Sequence, residues 1–333
     1  MESKNIIKVM EKQGYRFVGD HAAVKICRWT KKAIRNEMVC YKEKFYGIKS
    51  HQCCQMSPWL GCENKCIHCW RALELDFNKI INKKEIKEPK EIIDGCIEAQ
   101  RRLIGGFNID KNSKKKQLSK ADMKKFREAQ EPMQFAISLS GEPTLYNQIG
   151  EFIGELRKRG KTSFLVTNGL YPEKIKELLE KKQLPTQLYV SVNSPNKTMY
   201  EKFHRSTKKN AWAKLNETLE LLPLLRKKTR TVFRMNLVLN LNMNQEHAKE
   251  YALIIKKSKP LFIEIKGFMS IGFARQRLGY DRMPKFEDIF KFSKLISEEL
   301  KKLGEEYKLL DTHEFSRVVV LGKDKKDLKI KGI

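Results

Sequence analysis

Five short apolar runs alternate with longer amphipathic stretches through the middle of this chain, and that alternation constrains its fold more than any other feature. The runs are "QFAISLS" (134–140), "TSFLVTN" (162–168), "QLYVSVN" (187–193), "VFRMNLVLN" (232–240) and "LFIEIKGF" (261–268). Each is rich in β-branched or aromatic residues. Each is continuous, as expected of strands buried on both faces in a parallel sheet. A weaker candidate, "HQCCQMSP" (51–58), precedes them. Helical patterns lie between and beyond, over 85–104, 147–159, 172–182, 211–226, 245–258 and 285–303. Asn147, Pro172 and Pro284 are the expected starts of three of them, by capping or by the fixed φ of a first helical position. The expected class is α/β with a parallel sheet. Six strand–helix units make an incomplete TIM-like (βα)6 barrel, and a doubly wound open sheet is the alternative.

Three regions follow from this pattern. Residues 1–55 are an N-terminal Cys-rich extension, 56–270 a partial barrel core, and 271–333 a C-terminal extension with one long helix and a β-like end. Within the core, residues 108–131 carry no strand signal and seven Lys, and are expected as a solvated insertion or a basic flap. In either α/β architecture, function sits at the C-terminal ends of the strands. Those ends read Ser140-Gly141-Glu142-Pro143, Thr167-Asn168-Gly169, Asn193-Ser194-Pro195 and Lys266-Gly267.

The net charge is +28, from 68 basic and 40 acidic residues. So one-sided an excess favours a polyanionic partner, with RNA the leading candidate; a Lys-rich, thermophile-like surface is the plainer reading. No apolar run approaches the length of a membrane span, and the N-terminus has no apolar signal region. A cytoplasmic protein is expected, where clustered thiols bind metal more often than they pair.

Seven of the eight cysteines lie in the first 70 residues, and three of them form Cys62-Glu-Asn-Lys-Cys66-Ile-His-Cys69. A C-x3-C-x2-C run supplies three thiolates, whereas a 4Fe–4S cluster takes four ligands, so one iron would stay open to a small molecule. A structural zinc site competes, but it wants a fourth ligand; His68 adjoins Cys69 awkwardly, and no second CxxC pair exists. Cys27, Cys40 and Cys53 recur every thirteen residues. Alone they read as core cysteines; beside a cluster loop they become candidate ligands of a second cluster. Cys54 competes with Cys53, since adjacent side chains on a strand face opposite ways. Cys96 is expected in a helix core. Lys42 and Lys44 lie near this second set, among Tyr41, Phe45, Tyr46 and Trp59. A desolvated Lys can form a Schiff base with a carbonyl substrate, although most Lys in so basic a chain are solvated charges.

The cysteine loop resembles that of the radical S-adenosylmethionine (SAM) enzymes, with His68 where an aromatic residue usually precedes the third Cys. The resemblance implies that SAM binds the open iron and is cleaved, after one-electron reduction, to a 5′-deoxyadenosyl radical. It implies that Ser140-Gly141-Glu142 stands for a Gly-Gly-Glu motif whose Glu holds the methionine ammonium. Thr167, Asn168, Ser191 and Asn193 would contact methionine and ribose, and 263–271 would lie against the adenine. Cys27, Cys40 and Cys53 ahead of that loop, with "CYKEKFYGIKSHQC" and "CENKCIHCWR", are similar to the tRNA 4-demethylwyosine synthases of archaea and eukaryotes. That family implies two 4Fe–4S clusters, SAM, and pyruvate as co-substrate with Lys42 or Lys44 as its Schiff-base residue. The tRNA substrate implied is phenylalanine tRNA, modified at 1-methylguanosine beside the anticodon. It further implies an external flavodoxin- or ferredoxin-like electron donor, and a monomer is expected. Candidate tRNA contacts are Lys114–Lys116, Lys208–Lys209, Arg226–Arg230, Arg275 and Arg277. A radical SAM enzyme acting on another RNA base or a peptide, and a zinc-stabilised RNA-binding protein, are the alternative readings.

Overall fold

The computed structural model describes residues 2–73, 76–108 and 121–332, with the side chains of residues 2–6 left aside. The chain is an α/β protein in two compact units. The candidate contacts Lys114–Lys116 lie outside the described residues.

The first unit holds, of the described residues, 2–62, 76–165 and 330–332. Its strands run in the order β1 (Tyr15–Val18), β2 (Ala22–Lys25), β3 (Cys53–Ser57), β4 (Gln134–Ile137) and β5 (Thr162–Thr167). β1 and β2 form an antiparallel hairpin, β2 is antiparallel to β3, and β3, β4 and β5 are parallel. All four residues of β4 are buried, which is why its sequence is a continuous apolar run. The helix Pro89–Ile104 links β3 to β4. It opens on a capping box in which the Glu91 carboxylate accepts from the Glu88 N–H at 3.0 Å, with Pro89 in its first turn. The helix Ile149–Lys158 links β4 to β5. Gln148, not Asn147, occupies its cap position.

The end of the Lys-rich segment is packed, not solvated. Asp122 caps the helix Met123–Glu128 by accepting from the Lys124 and Lys125 N–H groups. Phe126 and Ala129 then pack with Ile26, Ile34 and Ile104 in a local core.

The second unit comprises residues 63–73 and 166–329 of those described. Its strands are ordered β6 (Gln187–Ser191), β7 (Arg230–Leu237), β8 (Phe262–Gly267), then β10 (Val318–Gly322) and β9 (Lys308–His313). β6, β7 and β8 are parallel, and β10 pairs antiparallel with both β8 and β9. The crossover helices are Ala211–Leu225 and Gln245–Ser258, each close to its expected span. Pro172 sits in the first turn of Pro172–Glu180, as expected. Pro284 stands ahead of the Lys285 cap and outside the helix Phe286–Lys302. Each unit thus supplies three parallel strands flanked by antiparallel ones.

Candidate active site

In the first unit, Cys27, Cys40 and Cys53 are set by three local devices. Cys27 and Cys40 both occupy extended cap positions, ahead of the short helices Arg28–Ile34 and Tyr41–Tyr46. Cys53 opens β3 after a turn at Ser50–Gln52. Hydrogen bonds then tie the three segments together. The Thr30 hydroxyl donates to the Cys53 carbonyl at 3.4 Å, and the Gln100 amide does so at 3.2 Å. The Cys40 N–H donates to the Ser50 hydroxyl at 2.8 Å, and the Ser50 N–H to the Glu43 carboxylate at 2.8 Å. Burial pushes the Cys53 thiol up. Cys27 and Cys40 push the same way, while the Lys42 ammonium opposes them. Cys27, Cys40 and Lys42 therefore all lie within electrostatic reach of Cys53.

Strand alternation separates Cys53 from its neighbour. Cys54 is fully buried beside Cys96, and burial foremost, then Cys96, holds its thiol well above the usual range. Cys27, Cys40, Cys53, Cys62, Cys66 and Cys69 are each partly exposed, whereas Cys54 and Cys96 are buried. Among the described residues no three His, Cys, Asp or Glu side chains close to metal-holding distance. The donor set at Cys27, Cys40 and Cys53 is nevertheless the all-thiol one an iron–sulfur cluster takes.

The two candidate lysines differ. Lys42 is half-buried and Lys44 exposed. The Lys42 Nζ lies 5.0 Å from the Phe164 ring centroid, a cation–π contact. Tyr41, Phe45 and Tyr46 are buried around it, each ring edge-on to the next and Tyr46 edge-on to Phe164. Trp59 belongs elsewhere: it packs against His21 and donates to Asn78 at 3.4 Å.

The segment leading to Cys62 is clamped from two sides. His21, at the end of the β1–β2 turn, donates Nδ1–H to the Pro58 carbonyl at 2.8 Å. Its Nε2 accepts from the Lys87 N–H at 3.0 Å. From the other side, the Glu142 N–H donates to the Gly61 carbonyl at 2.7 Å, and the Ser140 N–H to the Ser57 hydroxyl at 2.9 Å. Gly141 has φ +76°, and a Cβ there would stand 2.2 Å from the Trp59 carbonyl oxygen. Only glycine fits both constraints. The Glu142 side chain, 2 % exposed, accepts from the Thr144 hydroxyl at 2.7 Å and the Thr144 N–H at 3.1 Å.

In the second unit, residues 63–73 are laid against the turn that follows the helix Lys197–His204. Lys65 and Ile67 N–H groups donate to the His204 and Phe203 carbonyls, and the Thr207 N–H to that of Glu63. Ile67 packs with Phe203, Val238 and Phe268. Arg277 donates to the carbonyls of Ile67 and Arg71 at 3.2 Å and also to that of Cys69. His68 stacks on Phe203, with centroids 4.7 Å apart. Burial, with the Arg234 and Arg277 charges added, lowers its pKa to about 3. It is a neutral aromatic ring, which is the part an aromatic residue at that position would play. The Cys66 Sγ lies 3.1 Å from Nδ1 of His204, whose pKa is likewise held well down, by burial first and then by His68.

The strand-end residues of this unit shape turns. Thr167 accepts from the Gly169 N–H at 3.1 Å and Asn168 from the Leu170 N–H at 3.0 Å. Ser191 closes β6 opposite Arg234. The Asn193 amide oxygen accepts from the Asn236 N–H at 2.9 Å. Arg230 is bound to the Asp327 and Leu328 carbonyls, and Arg226 to that of Lys259. With Arg277 these cations are committed to the fold. Lys208 lies 4.1 Å from the Tyr171 ring centroid, and Arg275 5.2 Å from that of the exposed Tyr280.

The chain matches the Radical SAM superfamily over residues 56–252 and the wyosine base formation family over 257–323. It is 39% identical over 331 residues to the S-adenosyl-L-methionine-dependent tRNA 4-demethylwyosine synthase of Pyrococcus abyssi, covering 99% of this chain and 92% of that protein. The chain belongs to the tRNA 4-demethylwyosine synthase family. The family's Methanocaldococcus jannaschii member is 34% identical over 99% of this chain and the whole of its own. A solved structure of TYW1 with a lysine–pyruvate adduct bound superposes with a TM-score of 0.81 at 32% identity, covering 98% of this chain and 97% of that one.

His21, His204 and Arg277 carry no sequence signal that ties them to these segments. Each is an isolated residue far along the chain from the cysteine segment it holds, and no spacing rule connects them. Arg277 shows in the sequence only as a charge, which is why it stands among the candidate RNA contacts.

Proposed function

We infer that this chain builds the tricyclic base 4-demethylwyosine in phenylalanine tRNA, from 1-methylguanosine beside the anticodon and a two-carbon unit of pyruvate. The likeness to curated synthases along nearly the full length of both chains carries this reading. The lysine–pyruvate adduct reported for the similar structure supports the pyruvate step.

Cys62, Cys66 and Cys69 are proposed to hold the SAM-binding 4Fe–4S cluster, and Cys27, Cys40 and Cys53 the second. All six are the partly exposed cysteines of the chain. When bound, the first cluster and SAM supply a carbon radical that removes hydrogen from the methyl group of the base, with an external one-electron donor. Glu142 would accept the methionine ammonium. Its backbone is fixed to Gly61, next to Cys62, by the hydrogen bond described above. Ser140, Gly141, Thr167, Asn168, Ser191 and Asn193 are the proposed SAM contacts; Thr167 and Asn168 each already spend a side-chain oxygen on a turn, and Asn193 spends its own on the Asn236 N–H.

Lys42 is the proposed Schiff-base residue. Its amine attacks the pyruvate carbonyl carbon, a C=N bond forms, and the oxygen leaves as water. The Phe164 ring, 5.0 Å from the Lys42 Nζ, and the buried rings of Tyr41, Phe45 and Tyr46 shelter one side of an imine formed there. Three parallel strands in each unit support the reading of a partial (βα)6 barrel.

Anaerobic incubation with 1-methylguanosine-containing phenylalanine tRNA, SAM, pyruvate and dithionite tests the reading. Mass spectrometry of the digested tRNA should show the tricyclic nucleoside, dependent on pyruvate. Unchanged methylguanosine alongside SAM cleavage would point to another substrate and overturn it.

A further inference from the structure

The Cys66 thiol has a partner outside the cysteine motif. His204, 138 residues further on, places Nδ1 at 3.1 Å from its Sγ. The ring is 3 % exposed. It is stacked on Tyr200 with centroids 4.4 Å apart, and lies edge-on to Phe203 and His68. The His204 carbonyl also accepts from the Lys65 N–H at 2.9 Å. Ring and peptide of one residue are thus both fastened to the segment that carries Cys66.

The tautomer follows from the other nitrogen. Nε2 is buried and meets no hydrogen-bond partner among the described residues. A neutral imidazole has one N–H. On Nε2 it would be a buried donor without an acceptor, the costlier orphan; on Nδ1 it meets sulfur. The proton therefore sits on Nδ1, and the sulfur accepts.

We propose that His204 is a positioning residue that donates its Nδ1–H to the Cys66 sulfur and sets how readily the cluster of the C-x3-C-x2-C segment accepts an electron. This rests on the cluster assignment made above. Reduction adds negative charge to the iron–sulfur core, and hydrogen bonds to its sulfurs offset that charge and raise the potential. The remaining ring contacts are aromatic, so little else screens the donor. Ligand orientation is served by the same bond, as second-shell partners do at other metal sites.

A redox titration of the anaerobically reconstituted full-length protein, followed by electron paramagnetic resonance, tests this. The signal that shifts on adding SAM identifies the relevant cluster. His204→Phe keeps a stacked ring and removes the donor, whereas His204→Asn returns an N–H close to the Nδ1 position. The Phe variant should keep its iron and its melting temperature. Its reduced-to-oxidised ratio at a fixed potential should fall about tenfold, which is about 59 mV for a one-electron couple, and the Asn variant should recover part of that. Equal midpoints in wild type and the Phe variant would overturn the proposal and leave the proposed function standing. A wild-type protein that takes up no iron would overturn both. Wild type labelled with 15N-histidine gives an answer even if a variant fails to fold. A weak hyperfine coupling to one histidine nitrogen supports the hydrogen bond, while a strong coupling means iron ligation, and no coupling means no contact; either of those rejects it.

Discussion

Lys42 and Lys44 are two residues apart, and their surroundings assign them different chemistry. The Lys42 ammonium lies over the Phe164 ring and within electrostatic reach of the Cys53 thiol, whereas Lys44 is exposed. Borohydride trapping with labelled pyruvate should therefore mark wild type and Lys44→Ala, but not Lys42→Ala. Label retained by Lys42→Ala would remove Lys42 from the mechanism. Two glycines make a second contrast. Gly141 is at φ +76°, with the Trp59 carbonyl where a Cβ would go, while Gly154 lies in the helix Ile149–Lys158 with nothing within 4 Å of its Cβ position. Gly141→Ala should cost at least about 1–2 kcal/mol from its left-handed backbone alone. Gly154→Ala should stabilise by about 0.5–1 kcal/mol. Urea denaturation of the two variants reads both signs. The motif residues themselves were legible in the sequence, because short spacings and turn-forming types carry the signal. Their hydrogen-bond partners were not, because a buried His or Arg looks the same in a sequence whether it holds a loop or faces water.

At the scale of elements, the strand–helix alternation was readable because buried parallel strands leave continuous apolar runs. The hairpin of β1 and β2 was not: "YRFV" and "AAVK" are four residues each, and two alanines give no pattern. Yet its turn supplies His21, which braces the segment before Cys62. β3 coincides with the weaker strand candidate, and its pleat leaves Cys53 partly exposed and Cys54 buried. With two 4Fe–4S clusters, the reconstituted protein should hold about eight irons. Cys53→Ser should lower that to about four. Cys54→Ala should keep the full complement and lose about 1 kcal/mol of stability, the order of one buried methylene. Iron analysis with the opposite pattern would exchange the two roles.

For the whole molecule, the +28 charge is the property an RNA substrate would sense first. Three of the candidate contacts, Arg226, Arg230 and Arg277, are engaged with backbone carbonyls. Lys209 and Arg275 are exposed, the latter beside the exposed ring of Tyr280, while Lys208 is half-buried over Tyr171. If about 6–10 phosphates are neutralised, affinity for tRNA should fall by about 10³–10⁵ between 50 and 200 mM salt. A fall of less than tenfold in filter-binding or anisotropy titrations would mean that the charge serves something other than this partner. No described helix is long and apolar enough to cross a membrane.

The division of the eight cysteines into six partly exposed and two buried has a practical corollary. The apo-protein carries its own gauge of sheet opening. Five of the six should take up an alkylating reagent while the fold is intact, Cys53 more slowly because burial holds its thiol up, and Cys54 and Cys96 only when β3 and the helix Pro89–Ile104 come apart. The rate at which the last two are labelled then reports the local opening free energy of the scaffold beneath Cys27, Cys40 and Cys53, without any cofactor bound.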